Sequence, residues 1–154
     1  MISVKRNNHI VFLGVIVLAV SLVRGLSAAP VIIDTDLENR NIEAKISYYV
    51  DRSCNLTIEE VSSPVFQSRF TGKGHEGLTF GYSRDVIWIR LETDNPAKND
   101  VPWLLEYGYP HIDNISIYIP SGSGYSAIHT GDRTNFNTRP MEYRNFIFPL
   151  VERP

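Results

Sequence analysis

The chain has 154 residues, with 15 basic and 17 acidic side chains, one cysteine and a formal net charge of −2. This length allows one domain with its own core and little besides. The slightly acidic balance lacks the clustered positive charge that nucleic acids and anionic lipid surfaces require. We therefore expect neither nucleic acid nor a lipid surface as a partner.

The first 29 residues have the pattern of a secretory leader. Lys5 and Arg6 form a short basic region, an apolar run covers residues 10–23, and small residues follow at 25–29. A helix over that run would span roughly 21 Å, short of the ~30 Å hydrocarbon core of a membrane. We predict a signal peptide over residues 1–29 and export to the periplasmic or extracellular side of the cytoplasmic membrane. An uncleaved N-terminal anchor is the alternative.

The predicted mature domain, residues 30–154, is acidic. Removing residues 1–29 takes away three basic residues and no acidic one, which leaves 12 basic against 17 acidic side chains and a net charge near −5.

Cys54 is the only cysteine of the predicted mature domain. One cysteine cannot form an internal disulfide. We expect Cys54 to be a small buried hydrophobic residue, with a free thiol as the alternative.

The first predicted elements of the mature domain are a strand and a short helix. Residues 46–50, ISYYV, place Ile46, Tyr48 and Val50 on one face of a strand. Thr57 and Glu60 then have the spacing of a capping box, which predicts one or two helical turns that end before Pro64. The glycine-rich segment 69–83 predicts an extended loop.

Further strands follow with period-two alternation. Segment 86–92 has large side chains on both faces, which predicts a central strand covered on both sides. Segment 103–109 predicts another strand, with Trp103, Leu105, Tyr107 and Tyr109 on one side. Residues 114–119 and 125–131 predict a hairpin around a Pro-Ser-Gly-Ser-Gly turn. Phe146, Phe148 and Leu150 alternate in a last strand. The strand spacing and turn density predict an all-β sandwich.

The order of several short motifs resembles a known family. Trp88-x-Arg90, the strand IDNISIYIP at 112–120, Gly131-Asp132, Arg139 and Phe148-Pro149 follow one another as in the type 2 extracellular sensor domain of bacterial seven-transmembrane receptors with diverse intracellular signalling modules. The resemblance covers residues 46–150. It implies a jelly-roll-like β-sandwich similar to carbohydrate-binding modules, lying outside the cytoplasmic membrane.

The resemblance also implies a function in signalling. Domains of that family are thought to sense a small-molecule or carbohydrate ligand, with seven transmembrane helices and a cytoplasmic output module after them. The family domain has one or two further strands beyond the position of Pro154. We therefore expect this chain to be a truncated form that contacts the membrane only through an uncleaved leader or the absent transmembrane part.

Aromatic rings beside polar side chains are what a sugar site needs, since a ring covers the C–H face of a pyranose and polar groups bond its hydroxyls. Each candidate has a structural alternative: the tryptophan as core, the tyrosine rings packed with exposed hydroxyls, and the arginines as ion-pair or loop-latching residues. The candidate ligand-binding residues are Arg90, Trp103, Tyr107, Tyr109, Tyr118 and Arg139.

No catalytic or metal-binding motif is visible. The histidines are scattered and there is one cysteine, which gives a zinc site no support. Asp34, Asp36 and Glu38 alternate like calcium ligands but lack the glycine and distal glutamate of a calcium loop. We predict a non-enzymatic sensor module without cofactor or metal. A stand-alone secreted domain that binds glycans or proteins is the alternative, and an exported hydrolase is a third hypothesis.

Overall fold

The computed structural model describes residues 2–6, 29–32, 40–72, 80–81, 83–94 and 103–150. Within these ranges the chain forms eleven strands, one α-helix and three 3₁₀ turns. The strands are β1 (Ile2–Arg6), β2 (Val31–Ile32), β3 (Arg40–Asn41), β4 (Ile46–Asp51), β5 (Thr71–Gly72), β6 (Val86–Leu91), β7 (Thr93–Asp94), β8 (Trp103–Tyr107), β9 (Ile115–Ser121), β10 (Gly124–Thr130) and β11 (Phe146–Leu150). The helix is α1 (Ile58–Ser62), and the 3₁₀ turns are Glu43–Lys45, Gln67–Arg69 and Phe136–Thr138.

The strands pair in four ladders. Their orders are β11-β8-β1-β3, β5-β4-β6, β10-β9 and β2-β7. The first three are antiparallel, and the short β2-β7 pair is parallel. This strand-dominated structure confirms the all-β sandwich that the sequence predicts. Among the described residues, no helix has the length and apolar character needed to cross a membrane.

All four ladders contribute to one hydrophobic core. Trp103 and Phe148 lie at its centre with 1% and 0% of their surfaces exposed. Burying a large apolar side chain contributes about 1.5–3 kcal/mol, so these positions stabilise the packing of the ladders on one another. The core residues are Val31, Ile42, Ile46, Leu91, Trp103, Leu104, Leu105, Ile117, Phe146, Ile147, Phe148 and Leu150.

The predicted hairpin is confirmed. β9 and β10 pair over seven residues on each strand, with Ile117 opposite Ile128. The chain reverses through Gly122 and Ser123, and Gly122 has φ 58°, a conformation that glycine adopts without steric cost. Ile117 faces the core, and its neighbours Ser116 and Tyr118 lie on the opposite face of β9.

The central strand of the β5-β4-β6 ladder is β4, not β6 as the sequence predicts. β4 pairs with β6 over six residues and with β5 over two. Immediately after β6 the chain moves to another ladder, because Val31 donates its N–H to the Glu92 carbonyl at 2.8 Å and β7 pairs with β2. The prediction of cover on both faces is correct for the end of β6, where Arg90 and Leu91 are both buried.

The predicted capping box is confirmed at the start of α1. The Thr57 hydroxyl accepts from the Glu60 N–H at 3.4 Å, and the Glu60 carboxylate accepts from the Thr57 N–H at 2.7 Å. Val61 of this helix is 1% exposed. Gln67 donates to the Val61 carbonyl at 3.0 Å, which ties the following 3₁₀ turn to the helix.

Several predicted segments lie outside the described residues. These are residues 33–39 with the acidic alternation, residues 73–79 of the glycine-rich segment, and the leader beyond β1 up to residue 28. The signal peptide therefore stays a prediction. β1, which holds the basic residues of that leader, pairs with β8 and β3.

Candidate functional site

A groove of about 670 Å³ runs along the outer edge of β4. We call it the β4 groove; residues 48–53 line it together with Leu56, Arg69 and Thr71. It exists because β5 is short: this strand pairs with Ser47 and Tyr48 and does not reach the rest of β4. Its volume lies within the ~300–1,000 Å³ of small-molecule sites.

The β4 groove combines aromatic and cationic side chains. Tyr49 is half-buried, and its ring meets Phe66 edge-on with centroids 4.8 Å apart. Arg69 lies over the Phe66 ring, with its guanidinium carbon 4.9 Å from the ring centroid. Arg52 and Arg69 are exposed, so both guanidinium groups are accessible to a ligand.

Asp51 contributes the carboxylate of the groove, and this group is already occupied by the chain. One oxygen accepts from the Ser53 N–H at 2.9 Å, the Ser53 hydroxyl at 2.6 Å and the Cys54 N–H at 3.1 Å. The other oxygen accepts from the Leu56 N–H at 3.1 Å. The Ser53 hydroxyl and these backbone N–H groups lower the pKa of Asp51, although burial opposes the shift. The charge of Asp51 therefore organises the 51–56 turn.

The expectation that Cys54 is buried is wrong. Cys54 is an exposed free thiol. It has φ 56° in the turn around the Asp51 carboxylate, a left-handed position on the surface. Its thiol donates to the Arg84 carbonyl at 3.4 Å. The turn geometry, which the sequence pattern does not reveal, carries the side chain outward.

Acid is expected to cancel the stabilising effect of Asp51. The pKa of Asp51 in the folded protein lies below the unfolded value of 3.8. The stabilisation of the folded state by the ionised carboxylate is therefore complete above that pH and is lost as pH falls through the folded pKa. The Tm difference between wild type and Asp51→Asn should be largest near neutral pH and shrink below pH 3.8. Thermal unfolding followed by circular dichroism at several pH values measures it.

The exposed Glu59→Gln variant is the control for Asp51→Asn. Its Tm should stay close to that of wild type, because the groups that bond the Asp51 carboxylate are those of Ser53, Cys54 and Leu56 and do not include Glu59. A Tm difference for Asp51→Asn that stays constant down to the lowest pH would contradict the assigned role.

A row of aromatic side chains leads away from the β4 groove. We call it the aromatic row: Phe66, Tyr49, Trp88, Tyr118 and His129. Tyr49 stands opposite Trp88 across β4 and β6. Trp88 stacks on Tyr118 with centroids 5.8 Å apart and an interplanar angle of 29°, and Tyr118 meets His129 edge-on at 6.1 Å. The row therefore joins the groove to the β9-β10 hairpin.

The far end of the aromatic row is polar. The Ser116 hydroxyl lies 2.8 Å from Nδ1 of His129, and both residues are exposed. The indole nitrogen of Trp88 is buried and has no hydrogen-bond partner within the described ranges. Tyr118 is the one predicted ligand residue in this row.

Arg90 ties the segment between α1 and β5 to the β5-β4-β6 ladder. Its guanidinium donates to the Ser47 hydroxyl at 3.0 Å and to the Gln67 side-chain oxygen, and it pairs with Glu92 at 3.2 Å. It also lies 4.9 Å from the Phe70 ring centroid. Burial lowers the pKa of Arg90, and the Glu92 carboxylate offsets only part of this shift. Arg90 is 6% exposed, so a ligand would reach its guanidinium only by displacing these contacts. The environment of Arg90 is therefore that of a structural residue.

Trp103 and Tyr107 lie on β8. Trp103 is 1% exposed, which leaves no ring face for a ligand, as the structural interpretation of this residue predicts. Tyr107 is half-buried opposite Phe146. Burial raises its pKa, and Tyr109 and Glu43 add smaller effects in the same direction, so the phenol stays neutral.

Tyr109 and Arg139 complete the predicted set. Tyr109 is 49% exposed and meets His111 edge-on with centroids 5.9 Å apart. Arg139 donates to the Tyr143 carbonyl at 3.0 Å and the Arg144 carbonyl at 2.6 Å. Its guanidinium carbon also lies 4.3 Å from the Phe146 centroid. These contacts fit the loop-latching interpretation of Arg139.

The structure does not bring the six predicted residues into one site. Arg90 and Tyr118 lie on the β6 and β9 side, whereas the other four surround β8 and β11. The sequence reasoning did not single out Tyr49, Arg52 and Arg69, which line the candidate groove. The consecutive tyrosines of ISYYV followed by Arg52 were the available signal. In the part of the chain described here, no group of three or more His, Cys, Asp or Glu side chains is placed to hold a metal ion.

Comparison with known proteins gives one result. A family model described as 7TMR-DISM extracellular 2 matches residues 43–154. The matched region includes every residue of the β4 groove and the whole aromatic row. No curated protein and no solved structure matches the chain.

Proposed function

This chain belongs to the 7TMR-DISM extracellular 2 family, and from that premise we propose that it binds a carbohydrate ligand in the β4 groove for a bacterial transmembrane receptor. The family membership means an extracellular sensor domain on the exported side of the membrane. The ligand class, the periplasmic location and the groove as binding site are the parts that we propose.

The observation that carries the carbohydrate assignment is the composition of the β4 groove. The half-buried ring of Tyr49 borders a concavity that also presents Arg52 and Arg69. A ring beside donors suits a pyranose, whose C–H face packs on an aromatic surface while its hydroxyls or a carboxylate accept hydrogen bonds. Thr71 and Ser53 add hydroxyl groups at the same lining.

The proposal assigns binding, without catalysis, to this module. The carboxylate in the groove lining is Asp51, and its oxygens accept four hydrogen bonds from the 51–56 turn. A general base needs a free acceptor within reach of the substrate. The proposed receptor output is made by other parts of a signalling protein.

The expected result of a ligand screen is a rise in Tm with at least one sugar. The full chain is screened by thermal shift against neutral and uronic-acid-containing oligosaccharides at millimolar concentration. For a sugar that binds, Arg52→Gln and Arg69→Gln should each weaken the affinity about tenfold, since a hydrogen bond to a charged group contributes about 1.5–3 kcal/mol. Isothermal titration calorimetry measures the dissociation constants.

Arg144→Gln is the matched control for both arginine variants. Arg144 is also exposed but does not line the β4 groove, so its variant should bind as wild type does. No Tm change with any sugar, or equal loss of affinity in all three variants, would remove the groove as a carbohydrate site.

A further inference from the structure

The charge of the β4 groove lining is opposite in sign to the net charge of the chain. The whole chain has a formal net charge of −2. Among the residues that line the groove, the charged ones are Arg52, Arg69 and Asp51, which sum to +1. A concave site concentrates the field of the charges in its wall, so this local excess of positive charge selects among ligands.

The Asp51 carboxylate is used by the chain itself. Its oxygens accept four hydrogen bonds, from Ser53, Cys54 and Leu56, and the residue is 2% exposed. An ionised carboxylate has about four acceptor sites, so these bonds occupy its capacity. The charged groups that the groove offers to a ligand are therefore the two guanidinium cations.

Neither guanidinium is neutralised by another described residue. Arg52 and Arg69 are exposed, and the ion pairs within the described ranges include neither of them. The β4-β6 register places Asp85 opposite Arg52, one position beyond the end of the ladder, yet the two side chains form no ion pair. Both cations are thus available for an anionic partner.

An aromatic contact holds Arg69 at the groove. Its guanidinium carbon lies 4.9 Å from the centroid of the Phe66 ring, and Phe66 is 6% exposed. The Arg69 N–H also donates to the Phe66 carbonyl at 2.9 Å, which fixes the backbone at this position. The contact with the ring positions the cation without a hydrogen-bond acceptor, so the side-chain N–H donors of Arg69 are left for a ligand.

The hydrogen-bonding capacity of these cations indicates the chemistry of their partner. A guanidinium has five N–H donors and no acceptor, whereas a sugar hydroxyl both donates and accepts. A carboxylate only accepts, and its two oxygens match the planar fork of an arginine. The half-buried Tyr49 ring in the same lining suits the C–H face of a pyranose. A uronic acid has the carboxylate and the C–H face on one ring.

We propose that the ligand of the β4 groove is an acidic saccharide, with its carboxylate bound by Arg52 and Arg69 and its ring packed on Tyr49. This inference rests on the carbohydrate binding proposed above and adds the charge class of the sugar. A neutral sugar would leave both cations without an anionic partner. Hydrogen bonds between two charged groups are about twice as strong as neutral ones, so the acid is the preferred ligand.

A matched pair of ligands tests the charge class. Trigalacturonate and its methyl ester have the same rings and differ in charge, and isothermal titration calorimetry on the full chain measures both dissociation constants. At low ionic strength the acid should bind at least about tenfold more tightly than the ester. This preference should shrink in about 0.5 M NaCl, because mobile ions screen exposed charges.

The arginine variants locate the preference. In Arg52→Gln and in Arg69→Gln the ratio of the two dissociation constants should move toward one by at least about threefold. The ratio is the readout because a general disturbance of the groove weakens both ligands alike. Arg144→Gln is again the control, since Arg144 does not line the groove, and it should keep the wild-type ratio.

The possible failures separate this inference from the proposed function. Equal affinity for acid and ester, or an unchanged ratio in both groove variants, would overturn the acidic ligand and leave sugar binding in place. Displacement of trigalacturonate by acetate at the same carboxylate concentration would show that the sugar ring contributes nothing, which overturns the saccharide. Absence of binding by any saccharide would remove the proposed function and this inference together.

Discussion

Gly131→Ala is expected to lower the free energy of unfolding by about 3 kcal/mol. A Cβ atom at this position would lie 2.1 Å from the carbonyl oxygen of Asp113 and 2.8 Å from the Cα of Asn114. These are backbone atoms, and they are held in place because Asp132 and Arg133 donate their N–H groups to the Ile112 and Asp113 carbonyls at 2.7 and 3.3 Å. The backbones must separate to admit a methyl group.

Urea denaturation of Gly131→Ala and Gly124→Ala measures this effect against a matched control. A Cβ at Gly124 on β10 meets no atom within 4 Å, so its alanine variant should stay within about 0.5 kcal/mol of wild type. The close approach of residues 112–114 to residues 131–133 would be refuted if both variants had the same stability.

Arg90→Met is the second change with a large expected effect. It should lower the free energy of unfolding by about 3 kcal/mol. Methionine matches the length of the side-chain stem but cannot donate to Ser47 and Gln67 or pair with Glu92. Ser47 of β4, Gln67 of the 3₁₀ turn and Glu92 after β6 would then lose the cation that they share. The segment between α1 and β5 should therefore loosen from the sheet, and hydrogen exchange at residues 67–70 should accelerate.

Two further variants locate the cause of the Arg90 effect. Arg90→Lys keeps the charge but loses the planar fork that reaches several partners, so it should recover less than half of the lost stability. Arg84→Met changes an exposed arginine just before β6 and should leave the urea midpoint unchanged. A loss below about 1 kcal/mol in Arg90→Met would show that solvent replaces these contacts.

Much of the fold follows from local patterns. The β9-β10 hairpin and β11 alternate with period two, and the capping box of Thr57 and Glu60 needs residues three positions apart. Such features depend on neighbours in sequence, so the sequence predicts them. The choice of β4 as a central strand depends on where the chain goes after Glu92, which no local pattern records.

The candidate site was less predictable because it joins distant segments. Arg52 follows β4 and Arg69 ends a 3₁₀ turn after α1, and only the fold places both beside Tyr49. Trp103 has the aromatic character of a sugar-binding residue, but that character also suits a core. Its 1% exposure follows from packing among β8, β11 and the opposite ladders.

The exposed thiol of Cys54 has a practical consequence for experiments on this protein. It is the single cysteine of the chain, and it lies between Ser53 and Leu56, two residues of the β4 groove lining. A maleimide fluorophore would therefore attach at one place, at the rim of the groove, without any engineered cysteine. Its emission would report occupancy of the groove in the native sequence.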